Sequence, residues 1–206
     1  MKQLLASLVT LLAISNLAVA QTTAEVDIEA GRAKAQPCAA CHGSTGLSPS
    51  GMFPHLAGQQ ASYLVKQMKD IRDGRREVAQ MAGQLDDFSA QDIRNVAAFY
   101  ADQPPPLGQA DPDETLVERG RTLFRAGDLD ERIPACSACH TPTGAGIGSA
   151  AYPAVAGQHP EYTIATLQAF AEGSRDNDPN GIMRDIAAKL SEEDMQALAN
   201  YLLGLH

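Results

Sequence analysis

The chain has no tryptophan, and five tyrosines and five phenylalanines make only 5% of its 206 residues aromatic. A protein this poor in large apolar side chains builds a weak core by itself. Basic residues are also few: 16 Lys and Arg stand against 25 Asp and Glu, for a formal charge of −9. An acidic chain argues against nucleic acid as a partner, and it permits docking to a basic patch on another protein without naming one. Beyond residue 20 no segment is long and apolar enough to cross a bilayer. No period-two run is long enough for a persuasive strand, which sets sheet-based folds aside. Cysteine is scarce, with four in all.

Those four cysteines fall into two copies of one pattern, Cys38-Ala39-Ala40-Cys41-His42 and Cys136-Ser137-Ala138-Cys139-His140. C-x-x-C-H is the attachment signature of a c-type haem. Two thiols three positions apart can add across the two vinyl groups of one porphyrin, and the histidine that follows lies where its imidazole can bind iron. Three other readings compete. A zinc site of two C-x-x-C pairs leaves the histidines unexplained and must join segments far apart in sequence. A thioredoxin-type dithiol wants a βαβ context that is missing. Two structural disulfides suit an exported protein. Two copies that use every cysteine favour two covalent haem c groups. Two porphyrins would also supply the apolar surface that the composition lacks.

The N-terminus reads as a secretory signal over residues 1–20. Lys2 gives a basic start, Leu4 to Val19 is mostly apolar, and Ala18-Val19-Ala20 fits a cleavage site after Ala20. Retention as an anchor is the competing reading; the run is short and broken by Ser7, Thr10, Ser15 and Asn16. Cleavage would leave a periplasmic protein starting at Gln21, with the charge moving from −9 to −10 on loss of Lys2.

The rest of the chain is an internal repeat. Gly31-Arg32 and Gly120-Arg121 precede the two motifs. Phe53-Pro54-His55-Leu56-Ala57-Gly58-Gln59 matches Tyr152-Pro153-Ala154-Val155-Ala156-Gly157-Gln158 at an offset of 99, as do Tyr63 with Tyr162 and Gly74 with Gly173. Met81 and Met183 each stand eight residues before a serine, Ser89 or Ser191. The second copy carries an extra nine residues around Asp128-Leu129-Asp130. Pro104-Pro105-Pro106 cannot continue a helix and favours an extended path. The reading is a first domain at 21–103, a linker at 104–113 and a second domain at 114–206.

Both copies read as helices joined by long loops. Leu64, Met68 and Ile71 share one face, as do Ile164, Leu167 and Phe170. The final helices begin at Ser89-Ala90-Gln91-Asp92 and Ser191-Glu192-Glu193-Asp194, two capping-box patterns. Behind them Ile93, Val96, Ala97 and Tyr100, and Met195, Leu198, Ala199 and Leu202, follow i, i+3, i+4, i+7 spacing.

His42 and His140 are the natural axial ligands on one side of each iron. For the other side the repeat singles out Met81 and Met183, the only methionines that correspond to each other; core filling is the competing role. His55, His159 and His206 have no twins and read as loop or surface histidines. The Pro54 and Pro153 regions can offer the carbonyl that orients a ligating imidazole, or can merely shape a loop. Tyr63 and Tyr162 read as packing residues with a bonded hydroxyl or as partners for a propionate.

With these residues assembled, the sequence resembles the di-haem cytochrome c-4 family over essentially the whole mature chain. The resemblance implies an all-α fold of two tandem class I cytochrome c domains, with Cys38, Cys41, His42 and Met81 serving one haem and Cys136, Cys139, His140 and Met183 the other. It implies haems close together at the domain interface. It also implies a respiratory electron carrier, not an enzyme, working between redox proteins such as a bc-type donor complex and a cbb-type terminal oxidase. The protein is expected to be a monomer, with peripheral membrane association left open. A di-haem peroxidase, a thiosulfate-oxidising cytochrome and a haem subunit of a larger membrane complex are the competing functions.

Overall fold

The computed structural model describes residues 25–205; the signal segment, its cleavage site and His206 lie outside them. Nine α-helices and four short 3-10 turns account for the regular structure among these residues, the α-helices being α1 Ile28–Lys34, α2 Ala39–His42, α3 Ala61–Arg72, α4 Ala90–Ala101, α5 Glu114–Arg125, α6 Ser137–His140, α7 Pro160–Ala171, α8 Ile182–Ala187 and α9 Glu192–Leu203. No strand forms among them, only isolated antiparallel bridges at Asp128–Ile133 and Ile147–Tyr152. None of these helices is long and apolar enough to cross a membrane.

The helix starts follow the local chemistry. Ser89 and Ser191 each accept from the backbone N–H three residues on, while Asp92 and Asp194 reach back to the serine N–H, completing both capping boxes. Asp27 caps α1 and Asp113 caps α5, each placing a carboxylate on otherwise unpaired N–H groups. In each half the first and last long helices cross tightly, α1 on α4 and α5 on α9. The glycine of each duplicated Gly-Arg pair gains its reason here. A Cβ on Gly31 would lie 2.1 Å from Asn95 O, and one on Gly120 would lie 2.2 Å from Ala197 O. Any side chain would force the helices apart, at about 1–3 kcal/mol or more for overpacking.

Behind these crossings lie two apolar cores. One gathers Ala35, Leu64, Val96, Ala97, Phe99 and Tyr100; the other gathers Leu123, Phe124, Ile133, Leu198, Leu202 and Leu205. The predicted faces of α4 and α9 are buried throughout. Of the predicted apolar faces of α3 and α7 only Leu64 and Phe170 are buried, while Met68, Ile71, Ile164 and Leu167 remain half-exposed.

Residues 104–113 contain no regular element. The prolines thread between the halves: Pro105 lies against Gly58 and the Pro106 carbonyl against Gly157. The segment is then fastened at Asp111, whose N–H donates to Asn200 Oδ1 and whose carbonyl accepts from Asn200 Nδ2. The nine-residue insertion closes on itself through reciprocal Asp128–Ile133 backbone bonds of 2.8 and 2.7 Å. Arg119 holds it down by pairing with both Asp128 and Asp194, and Ile133 is sunk in the second core while Leu129 points outward.

Candidate haem sites

Each C-x-x-C-H motif forms a single helical turn, with the first cysteine at the N-cap and the histidine as the last helical residue. The chain leaves that turn through a left-handed residue, Gly43 at φ 77° in the first copy and Thr141 at φ 65° in the second. Gly adopts this freely; for a β-branched Thr it costs about 1–3 kcal/mol. Thr141 Oγ1 partly offsets that by accepting from Ala145 N at 3.1 Å.

The loop that follows returns over the histidine by the same device in both halves. Leu56 N and Ala57 N donate to Gly46 O, and Val155 N and Ala156 N donate to Gly144 O. Gly58 N and Gly157 N then tie the loop to the terminal helix, at Tyr100 O and Leu202 O. This closure brings the Pro54 carbonyl 3.0 Å from His42 Nδ1 and the Pro153 carbonyl 2.9 Å from His140 Nδ1. With Nδ1–H donating to a carbonyl, each ring has its tautomer fixed and its Nε2 lone pair free for a metal. Burial lowers both imidazole pKa values and the carbonyl partly restores them, so both rings are neutral at pH 7.

All four cysteines are unpaired and half-buried. Burial raises the Cys38 thiol and pushes Cys136 up to about 11, which marks an apolar setting at the first cysteine of each motif. Among the described residues no three His, Cys, Asp or Glu side chains converge at metal-binding spacing, so the two motifs do not build one zinc site. Met81 closes a short turn at Ala79–Met81, and Met183 lies in the first turn of α8; both are half-buried.

The interface between the halves was not legible in the sequence. Tyr63 and Tyr162 accept hydrogen bonds from arginines of the opposite half, Arg175 Nη2 at 3.0 Å and Arg76 Nη2 at 3.2 Å. Arg76 and Arg175 are themselves repeat partners at the offset of 99. Gln67 Oε1 sits between them and accepts from Arg76, Arg175 and Asn177. Neither guanidinium pairs with a carboxylate among the described residues. Burial raises the Tyr162 phenol, but the two guanidinium groups more than offset this and hold it down to about 8. Two largely buried cations lacking an anion suit the propionates of a porphyrin. Together with thiols and imidazole on one turn, they give a side-chain set that fits haem in each half.

His55 and His159, read from the sequence as unrelated loop histidines, face each other across the interface with ring centroids 3.9 Å apart. His55 Nδ1 accepts from Ser48 N, and His159 Nε2–H donates to Ser48 O. Burial first, and His159 second, lower the His55 pKa to about 4. Between about pH 6.5 and 4 the unfolded chain therefore holds a proton that the folded chain refuses, and stability is lost as the pH is lowered. Thermal unfolding is expected to show a midpoint that drops across that window, and His55→Asn is expected to flatten the dependence.

A helical fold that twice sets a C-x-x-C-H turn beneath a proline carbonyl is that of a c-type cytochrome, here with its domain doubled. Family profiles agree: the cytochrome c profile matches residues 117–206, and that described as cytochrome C oxidase, cbb3-type, subunit III matches residues 28–99. Cytochrome c4 of Pseudomonas aeruginosa is 47% identical over 207 residues, covering all of both chains. The crystal structure of reduced cytochrome c4 from Pseudomonas stutzeri superposes with a TM-score of 0.85 at 45% identity, covering 88% of this chain and 100% of that one. The thiosulfate dehydrogenase electron acceptor of Thiomonas intermedia is 34% identical over 194 residues, covering 93% of this chain and 88% of its own. The chain belongs to the cytochrome c4 family. It is a di-haem electron-transfer protein with covalent haem c in its two domains, an electron carrier and not an enzyme.

Proposed function

We propose that this cytochrome is a periplasmic shuttle that takes electrons one at a time from a bc-type complex or similar donor and delivers them to a cbb-type terminal oxidase. In this reading residues 1–20 are the export signal, and domains at 21–103 and 114–206 flank the linker at 104–113. Cys38 and Cys41 hold one haem and Cys136 and Cys139 the other. When bound, each haem supplies a one-electron iron couple.

The side chains determine how that couple is used. His42 and His140 would hold the iron through Nε2, while the proline carbonyls fix their rings. Met81 and Met183 would offer the iron a soft thioether, which would raise its reduction potential and keep a substrate from binding there. Arg76 and Arg175 neutralise propionate charge at the interface. The observation that carries the reading is the duplicated histidine–carbonyl clamp, paired in each half with a half-buried methionine at a corresponding place in the repeat.

The test is twofold. Optical spectra of the native protein should contain no high-spin band, and reduced protein should be reoxidised at turnover rates by membranes containing a cbb-type oxidase. A high-spin fraction, or failure to be reoxidised, overturns the proposal. The Thiomonas relative favours a second donor: the same carrier would accept electrons from a thiosulfate dehydrogenase. Reduction of this protein by such an enzyme with thiosulfate separates the two supplies.

A further inference from the structure

Each histidine clamp is completed by the opposite half of the molecule. The peptide group joining Pro54 to His55 offers its carbonyl to His42 Nδ1 at 3.0 Å, and its N–H donates to Gln158 Oε1 at 3.0 Å. The peptide group joining Pro153 to Ala154 repeats this, with its carbonyl 2.9 Å from His140 Nδ1 and its N–H donating to Gln59 Oε1 at 2.7 Å. The amide nitrogens return the contact: Gln158 Nε2 donates to His55 O, and Gln59 Nε2 donates to Ala154 O. Both glutamines are buried, and each oxygen is steadied by the N–H of the following residue, Gln60 or His159. Gln59 and Gln158 occupy the same place in the two Ala-Gly-Gln stretches.

The N–H and C=O of one peptide are conjugated. A hydrogen bond made by the N–H moves electron density to the carbonyl oxygen and strengthens the bond that oxygen accepts, by roughly 10–30%. A stronger bond on imidazole Nδ1–H makes the ring a more basic ligand, which favours the oxidised metal. We propose that Gln158 and Gln59 are crossed positioning residues: each sets, through one shared peptide group, the basicity of the iron-binding imidazole in the other domain. Gln158 acts on His42, and Gln59 acts on His140. The proposal rests on the reading of His42 and His140 as iron ligands. It makes each haem sensitive to how the two domains sit, because separating them breaks both bonds at once.

The test uses the full-length holoprotein with Gln158→Leu and, separately, Gln59→Leu. Each haem's reduction equilibrium is read by spectroelectrochemical titration, and each histidine Nδ1–H by its NMR resonance. Gln158→Leu is expected to favour reduction of the haem at Cys38 and Cys41 by about threefold, or ~30 mV at 59 mV per tenfold for one electron. It should move the His42 Nδ1–H resonance and leave that of His140 in place. Gln59→Leu is expected to do the reverse. Should a leucine variant not fold, Gln158→Met and Gln59→Met, unbranched and without an amide, carry the same expectations. A shift confined to the haem of the mutated domain, an equal shift at both, or no shift overturns the crossed relay. Failure of the ligand reading looks different: the parent protein would then lack iron-shifted resonances from His42 and His140.

Discussion

Replacing Cys136 and Cys139 together by alanine is expected to halve the haem content and to unfold much of the second domain. The reason lies in how little that domain buries without its cofactor. Its core is one cluster built on Leu123, Phe124, Ile133, Leu198, Leu202 and Leu205, while Ile164 and Leu167 of α7 stay half-exposed. A small domain with so thin a core depends on its prosthetic group for folding free energy. Haem per polypeptide, measured by mass and by the reduced pyridine adduct, should fall from two to one, and far-UV dichroism should lose a large part of the helical signal from α5 to α9. Two haems retained in the double variant would refute attachment at this motif. The first domain should keep its haem, although it loses the Gln158 and Arg175 contacts at the interface.

Met81→Ala is expected to leave the first haem covalently attached but to open its iron. Thioether bonds from Cys38 and Cys41, as proposed, would not involve the methionine, so haem content should remain at two. Loss of the thioether should lower the potential of that haem by a sizeable part of the roughly 0.8 V that axial ligands span. Carbon monoxide and cyanide should then bind the variant much more tightly than the parent. Equal binding in parent and variant would remove Met81 from the ligand set. Met183→Ala should have the same effect on the second haem, with one difference: Met183 sits in the first turn of α8, so its removal also tests how firmly that helix is placed.

Much of the site was legible because its signals are local or duplicated. The attachment motif is five consecutive residues, and a turn of helix is enough to align its thiols and imidazole. The capping boxes at Ser89 and Ser191 span four residues each and formed as read. Repeat comparison separated Met81 and Met183 from the other methionines, and it left the role of Pro54 and Pro153 open until the carbonyls were seen 3.0 and 2.9 Å from the histidines.

The same comparison missed His55 and His159, because a residue without a twin carries no signal in a repeat. Their stacking arises from two different positions that meet across the pseudo-symmetric interface. A hint was available: each lies beside a duplicated stretch, one within Phe53–Gln59 and one directly after Gln158. The Gly-Arg pairs were visible as a pattern, but the cause of their glycines, backbone contact near 2 Å for any added Cβ, belongs to the helix crossings.

By itself, the sequence determined the helical class, the duplication, the two C-x-x-C-H turns and the starts of the terminal helices. These depend on short-range periodicity, on capping between neighbours and on covalent chemistry written in adjacent residues. Only the tertiary structure decided that Gln59 and Gln158 complete each other's histidine clamp and that Arg76 and Arg175 reach opposite tyrosines. Those bonds join residues 86 to 112 positions apart. Their formation depends on the angle at which two folded domains pack around a proline linker, and no local rule encodes that angle.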